Sequence, residues 1–321
     1  MKPYTYRCAR PAAWLLAIAA MAALPGCEQA TRPAQPTGGT PAAHSAEGRA
    51  TAAALQARFD AIDDNDPLNA ECDGVHSPVF LCSGILLRAT SAFNIEHHAW
   101  NPDRENPKPG GVSFSYLRRD ASFDTLAHGF DNGFTVWPIF HLPAGKFEME
   151  VLCYFPTVAG TDERSDAGCG KHAGHQDSGP CQDKDPPIVT GVAWLADYNK
   201  APEGVSKPDQ SCGFRMVTGT PDSAHVFDEA MHVVQLGRGA FFDTPDEAII
   251  ASWEENLEAT IPLESFFYIA GTTGANHAAL NQLDFYNTSQ QLWRPVIRVT
   301  LPEAINGPAT FEFRDEDQRV P

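Results

Sequence analysis

Basic residues are scarce in this sequence. Its 321 residues include 23 Lys and Arg against 41 Asp and Glu, which gives a formal net charge of −18 at pH 7. Proteins that bind nucleic acids neutralise backbone phosphates with Lys and Arg, so nucleic acid is a poor partner for a chain this acidic. Solubility alone accounts for the negative charge.

Two groups of glycine-dependent motifs are also absent. The sequence contains neither a phosphate-binding glycine loop nor a Rossmann fingerprint. Ser83-Gly84 does not lie in a Gly-x-Ser-x-Gly setting. These absences argue against the common mononucleotide- and dinucleotide-binding folds and against a serine hydrolase.

The N-terminal apolar run, residues 12–23, is too short to span a bilayer as a mature helix. Basic residues precede it, which is the charge order of a secretory signal peptide. It ends in Leu24-Pro25-Gly26-Cys27, which resembles a bacterial lipobox. We therefore expect removal of residues 1–26 and a lipid anchor on Cys27, at the outer membrane or cell surface. Pro25 is unusual in that motif, and free secretion after cleavage nearby is the alternative.

The composition then divides the mature chain into two parts. Residues 27–49 are rich in Ala, Pro, Thr and Gly and nearly free of large apolar side chains, which predicts a flexible tether. Residues 50–321 contain no internal repeat and no second linker, so we predict a single globular catalytic domain.

Eight cysteines are present. Cys8 is expected to leave with the signal peptide, and Cys27 to carry lipid. The remaining even number in an oxidising compartment predicts three disulfides, from Cys72, Cys82, Cys153, Cys169, Cys181 and Cys212. Their pairing is open, although Cys169 and Cys181 bracket a short loop and form the simplest pair. His172 and His175 in that loop allow a zinc site as an alternative, but the spacing fits no strong zinc pattern, so we predict no metal.

Strand patterns dominate residues 78–155 and return near the C-terminus. Pro78–Thr90 is a near-continuous apolar run, whereas Val112–Leu117 and Phe147–Phe155 alternate apolar and polar residues. The other predicted strands are residues 133–138, 261–270 and 296–301.

Helices are predicted around this strand-rich part. Leu55, Phe59 and Ile62 share one helical face, and a second helix is expected over residues 275–286. Thr244-Pro245-Asp246-Glu247 reads as a capping box with Pro in the first helical position, followed by a buried stripe of Ile250, Trp253 and Leu257. The predicted class is α+β: a single strand-rich domain with peripheral helices and long disulfide-stapled loops.

Three polar features on strands follow one another along the chain. Arg88 ends an apolar strand, Ser113-Phe114-Ser115 lies in the next, and Glu148-Met149-Glu150 begins a later one. Because side chains alternate along a strand, Ser113 and Ser115 share a face, and so do Glu148 and Glu150. We expect Arg88, Ser113 and Glu150 to meet on one face.

This order resembles the Arg–Ser–Glu signature of the NAD-using ADP-ribosyltransferase toxins. In that family an Arg ends the first core strand, a Ser-Thr-Ser-like segment opens the next, and a Glu-x-Glu pair precedes an apolar strand. A broader resemblance, to the secreted halovibrins associated with NAD glycohydrolase activity, covers most of residues 70–315. Its segments include 80–84, 110–118, 151–156, 210–214, 262–268 and 282–286.

The resemblance implies an ADP-ribosyltransferase-like core and a role for each polar residue. Glu150 would stabilise the positive ribose formed when the nicotinamide–ribose bond breaks, and Ser113, with Ser115 beside it, would orient Glu150 or the ribose. Arg88 would bind the pyrophosphate. Phe134 or Trp137 would stack on nicotinamide, and Glu148 would position an arginine-bearing protein acceptor. NAD is then the substrate, and no cofactor is expected.

Other interpretations of the same residues stay open. Alternating polar residues are usual on half-exposed strands, so the serines and glutamates also fit a solvent face. A non-catalytic surface lipoprotein that binds a host or envelope ligand would keep the disulfides and the tether. A carbohydrate hydrolase would need two carboxylates, for which Glu150 and Glu264 are candidates.

Overall fold

The computed structural model describes residues 41–62, 83–94, 98, 100, 112–137, 150–159, 169–170, 179–200, 212–216, 221–251 and 263–320. All of these belong to one compact unit, residues 36–321. Several predicted features lie outside the described residues: the signal peptide, Cys27, Cys72, Cys82, Glu148, His172 and His175.

The centre of the fold is a nine-stranded mixed sheet with the order β5-β4-β6-β2-β1-β3-β7-β8-β9. The strands are β1 Ile85–Thr90, β2 Val112–Leu117, β3 Asn132–Val136, β4 Glu150–Phe155, β5 Phe214–Arg215, β6 Glu247–Ala251, β7 Leu263–Ile269, β8 Val296–Thr300 and β9 Thr310–Phe313. Strands β7 and β8 run parallel, and the other neighbouring pairs are antiparallel.

Helices cover both faces of the sheet. They are α1 Ala42–Asp60, α2 Gly191–Tyr198, α3 Pro221–Phe241 and α4 Gly274–Thr288. The larger core joins Trp194 of α2, Phe227 of α3 and Phe285 of α4 to one face. The smaller core joins Leu55 and Phe59 of α1 to the other. The α+β class is thus confirmed, as are the predicted strands at β2, β7 and β8 and the helix at α4.

Helix α1 differs from the prediction at both ends. It begins at Ala42, so residues 42–49 are helical rather than part of the tether. These residues pack on β9: a Cβ added to Gly48 would lie 2.2 Å from the Phe313 ring. Ile62 lies beyond the helix and is 51% exposed, so it does not join the buried face.

The helix predicted from the capping box at residue 244 is wrong over the residues described there. Residues 247–251 form strand β6, between β2 and β4. Thr244 instead closes the end of α3, because its backbone N–H and its hydroxyl both donate to Phe241 O. Ala248, Ile249 and Ile250 are fully buried, as expected of a central strand covered on both faces.

The pairing of Cys169 with Cys181, the simplest of those left open by the sequence, is wrong. Cys153 pairs with Cys169, and Cys181 with Cys212. Closeness in sequence is a weak guide to pairing, because the fold decides which thiols meet. The presence of disulfides is confirmed, and both cysteines of the alternative zinc site are used in them.

Candidate functional site

Strands β1 and β2 separate in the middle of the sheet. They are paired at Ile85↔Leu117, Leu86↔Tyr116 and Leu87↔Ser115. Beyond these pairs, β1 continues along β3 and β2 continues along β6. Residues 88 and 113 therefore lie where β1 and β2 are no longer paired with each other, a place called the gap below.

Arg88 bridges this gap. Its Nη1 donates to Ser113 O at 2.8 Å, a bond from a side chain on β1 to the backbone of β2. Gly133 allows β3 to pack closely against the backbone of Arg88. A Cβ added at Gly133 would lie 2.0 Å from Arg88 O, so no larger residue fits without moving the strand. Arg88, a half-buried residue, is thus held at the point where the strands part.

A carboxylate that the sequence pattern assigned to a helix cap completes the cluster. Ser113 Oγ donates to Glu247 Oε1 at 2.6 Å. The backbone N–H of Ala159 donates to Glu247 Oε2 at 2.9 Å, so each carboxylate oxygen accepts a hydrogen bond. Glu247 is only 3% exposed and is the first residue of β6, next to β2.

The preceding residue, Asp246, anchors the start of β6. Its Oδ1 accepts from the Tyr116 backbone N–H at 2.7 Å, and its Oδ2 accepts from the Tyr154 hydroxyl at 2.5 Å. Burial raises the pKa of Asp246 to about 7, although these hydrogen bonds and Arg238 act to lower it. Burial and the adjacent Asp246 also raise the pKa of Tyr154 well above its usual value. Asp246, the residue just before Glu247, therefore connects the start of β6 to both neighbouring strands, β2 and β4.

The expected common face is not observed for Arg88 and Ser113. Arg88 is paired with Phe134 and so lies on the face of the larger core. Ser115 is paired with Leu87 of the smaller core, and Ser113 alternates with Phe114 of the larger core. The two polar groups meet only because Arg88 reaches the Ser113 carbonyl across the gap.

Glu150 is not the neighbour of Ser113. It begins β4 and pairs with Ala251 of β6, which lies between β4 and β2. The Ser113 hydroxyl, expected to orient Glu150, contacts Glu247 instead. The side chain of Glu150 lies outside the described part of the chain, and its catalytic role stays a prediction.

The two aromatic residues expected to stack on nicotinamide differ in solvent exposure. Phe134 is 0% exposed and packs edge-on against Phe114, with ring centroids 6.1 Å apart. It is a core residue, so the expectation that it stacks on nicotinamide is wrong. Trp137, at the end of β3, is half-buried and stays a candidate. Ser115 is half-buried on β2.

Glu264 has a structural explanation. Its side chain is 0% exposed, and its Oε2 accepts from Arg58 Nη2 of α1 at 2.5 Å. Burial raises the pKa of Glu264, and Arg58 opposes that shift. A carboxylate enclosed in this way under α1 is inaccessible to a sugar chain, which removes support for a hydrolase that uses Glu150 and Glu264.

Among the described residues, no group of three or more His, Cys, Asp or Glu side chains could hold a metal ion. No described helix is long and apolar enough to cross a bilayer. Comparisons of the chain with protein-family models, with curated proteins and with solved structures give no match.

Proposed function

We propose that this protein is an exported NAD glycohydrolase that breaks the nicotinamide–ribose bond at the Arg88–Ser113–Glu247 cluster. The observation that carries the proposal is the hydrogen bond from Ser113 to Glu247 beside the gap that Arg88 bridges. Glu247 opens the apolar strand Glu247–Ala251 next to the strand that carries the serines, but Pro245 stands where the Glu-x-Glu pair of the ADP-ribosyltransferases has its first Glu.

The chemistry requires a negative group beside the ribose. As nicotinamide leaves, positive charge develops on the ribose in an oxocarbenium-like transition state. A carboxylate already held in place and shielded from water stabilises that charge without reorganising. Glu247 is shielded in this way, and two donors fix its orientation.

Arg88 supplies the complementary charge for substrate binding. Its guanidinium can donate several parallel hydrogen bonds to phosphate oxygens, and Nη1 already contacts the strand that carries Ser113. A pyrophosphate bound there would bring the attached ribose to the same gap in the sheet. Trp137 is the candidate that remains for stacking on nicotinamide.

Water is the simplest acceptor of the ribosyl group. The resemblance pairs Glu148 with Glu150 and gives Glu148 a role in positioning an arginine side chain, so protein ADP-ribosylation is a second candidate activity. A Glu148→Gln variant is expected to keep NAD hydrolysis and to lose transfer to an arginine analogue. The halovibrin resemblance supports this NAD chemistry in an exported protein.

The test is to incubate the purified full chain with NAD and to separate nicotinamide and ADP-ribose by chromatography. We expect release by the wild type and about 100-fold less by Glu247→Gln. Gln can keep both contacts, with its carbonyl accepting from Ala159 and its amide donating to Ser113, so the variant is expected to fold. Absence of release by the folded wild type would overturn the proposal.

A further inference from the structure

The segment that follows β4 holds the candidate catalytic carboxylate. After Phe155 the chain continues past the start of β6, and Val158 N–H donates to Pro245 O at 2.8 Å. The next N–H, that of Ala159, donates to Glu247 Oε2. Ala159 is 2% exposed, so water does not readily replace this bond.

A disulfide closes the same segment. Cys153 in β4 is bonded to Cys169, sixteen residues later, and Ala159 lies inside the loop that they close. Both cysteines are buried and pack with Ala159 and Ile249 in one apolar cluster. Ile249 is two residues after Glu247 and therefore on the same face of β6. The cluster thus joins the disulfide, the Ala159 donor and the strand that carries Glu247.

We infer that the Cys153–Cys169 disulfide is a positioning device for Glu247, because it keeps the Ala159 N–H on the carboxylate. This inference rests on the proposed function. The bond forms when two thiols, Cys153 and Cys169, exchange with a disulfide oxidant R–S–S–R, which is reduced to two R–SH. The reduced chain lacks this restraint, and Glu247 loses the Ala159 N–H as a group that orients it.

As a consequence, the activity of the enzyme would depend on the compartment in which it lies. The bacterial cytoplasm keeps thiols reduced and contains NAD, whereas exported proteins meet oxidants. In the cytoplasm, the newly made chain would lack the disulfide and would position Glu247 poorly. The NAD of the producing cell would therefore be cleaved slowly. It would reach full activity only after export.

Paired variants test the coupling. Cys153→Ala/Cys169→Ala is expected to lower kcat for NAD by about 10- to 100-fold with little change in KM, since Arg88 is untouched. The matched control is Cys181→Ala/Cys212→Ala. That disulfide is also buried, and the adjacent Gly213 packs directly on Cys153: a Cβ there would lie 2.3 Å from Cys153 Sγ. The kcat of the control variant Cys181→Ala/Cys212→Ala is expected to lie within about threefold of the wild-type kcat at a temperature where both variants are folded.

Reoxidation gives a second readout. Reduced wild type, refolded and then treated with glutathione disulfide, is expected to recover kcat, whereas the Cys153→Ala/Cys169→Ala variant is not. Equal kcat in the reduced and the oxidised wild type would overturn the inference.

Hydrogen exchange separates this inference from the NAD assignment. Protection of the Ala159 amide is expected to fall at least tenfold in Cys153→Ala/Cys169→Ala and to persist in the control, with Ile297 in β8 as a reference amide. Unchanged Ala159 protection would overturn the coupling whatever the activity. An oxidised wild type that releases no nicotinamide would instead overturn the proposed function.

Discussion

At the scale of residues, the central feature is a pair of adjacent carboxylates with different tasks. Asp246 is bonded to Tyr116 and Tyr154 and fixes the start of β6. Glu247 is bonded to Ser113 and Ala159 and borders the gap between β1 and β2. Side chains alternate along a strand, so Asp246 faces the larger core and Glu247 faces the opposite side of the sheet.

Asp246 gives the stability of the protein a defined pH dependence. Its pKa in the folded protein, about 7, lies above the usual value for Asp. The folded state therefore holds this proton after the unfolded state has lost it, and the contribution to stability falls as pH rises from about 4 to about 7. The loss is at most about 4 kcal/mol.

Asp246→Asn is expected to remove that dependence, because a neutral amide has no proton to lose in this range. The measurement is urea unfolding of both proteins between pH 4.5 and 8. The wild type should lose stability relative to the variant as pH rises. A difference that does not vary with pH would contradict the assignment.

Arg88 gives a prediction about substrate affinity. Arg88→Lys keeps the charge but loses the planar fork, so we expect KM for NAD to rise about tenfold with a smaller change in kcat. Nicotinamide riboside has no phosphate, and its cleavage should be nearly equal in the two proteins. If Arg88→Lys lowered the cleavage of NAD and of nicotinamide riboside equally, Arg88 would have only a structural role in the sheet.

At the scale of elements, α1 is fastened to the sheet by a buried ion pair. Arg58→Ala would leave Glu264 buried without its cationic partner, at a cost of about 3–5 kcal/mol in the free energy of unfolding. The double variant Arg58→Met/Glu264→Gln removes both charges and is expected to recover most of that loss. Urea unfolding of Arg58→Met, Glu264→Gln and the double variant measures the coupling. Additive losses would show that the pair does not anchor the helix.

The sequence predicted elements best where one pattern had one explanation. The alternation of β2 and the apolar runs of β7 and β8 predicted strands, and the structure has them. The motif at residue 244 had two explanations: a Thr-x-x-Glu pattern opens a helix in isolation, but here packing between β2 and β4 outweighs that local preference.

The site was predictable only in part, for the same reason. Arg88 and Ser113 stood out because strand alternation displays them. Glu247 was assigned to a helical cap, and only the neighbour order β6-β2 brings it to Ser113. Sequence spacing carries no information on which distant strands pair, and the disulfides Cys153–Cys169 and Cys181–Cys212 were hidden in the same way.

At the scale of the whole molecule, the proposed chemistry and the predicted export of the protein constrain one another. NAD is scarce outside cells, so an exported enzyme that cleaves it suits either scavenging or attack on another cell. A tethered enzyme would act at contact or after release. The net charge of −18, which would become −21 if residues 1–26 with their three cationic residues were removed, fits neither nucleic acid nor an anionic bilayer.

The anchor itself is a prediction from the N-terminal sequence. Cells given a labelled fatty acid are expected to label the wild type and not Cys27→Ser, which should leave the membrane fraction. Nicotinamide release by the purified protein should be equal in both proteins, because Cys27 is not among the residues of the proposed site. Label in Cys27→Ser would contradict lipidation at this residue.

The most direct measurement of the central claim compares two glutamates in one assay: kcat for nicotinamide release at saturating NAD, with the Kd for NAD measured on the same samples. We predict that Glu247→Gln lowers kcat about 100-fold and leaves Kd within about threefold, while Glu150→Gln keeps kcat within about threefold. The opposite order, with kcat lost in Glu150→Gln and kept in Glu247→Gln, would contradict the site described above.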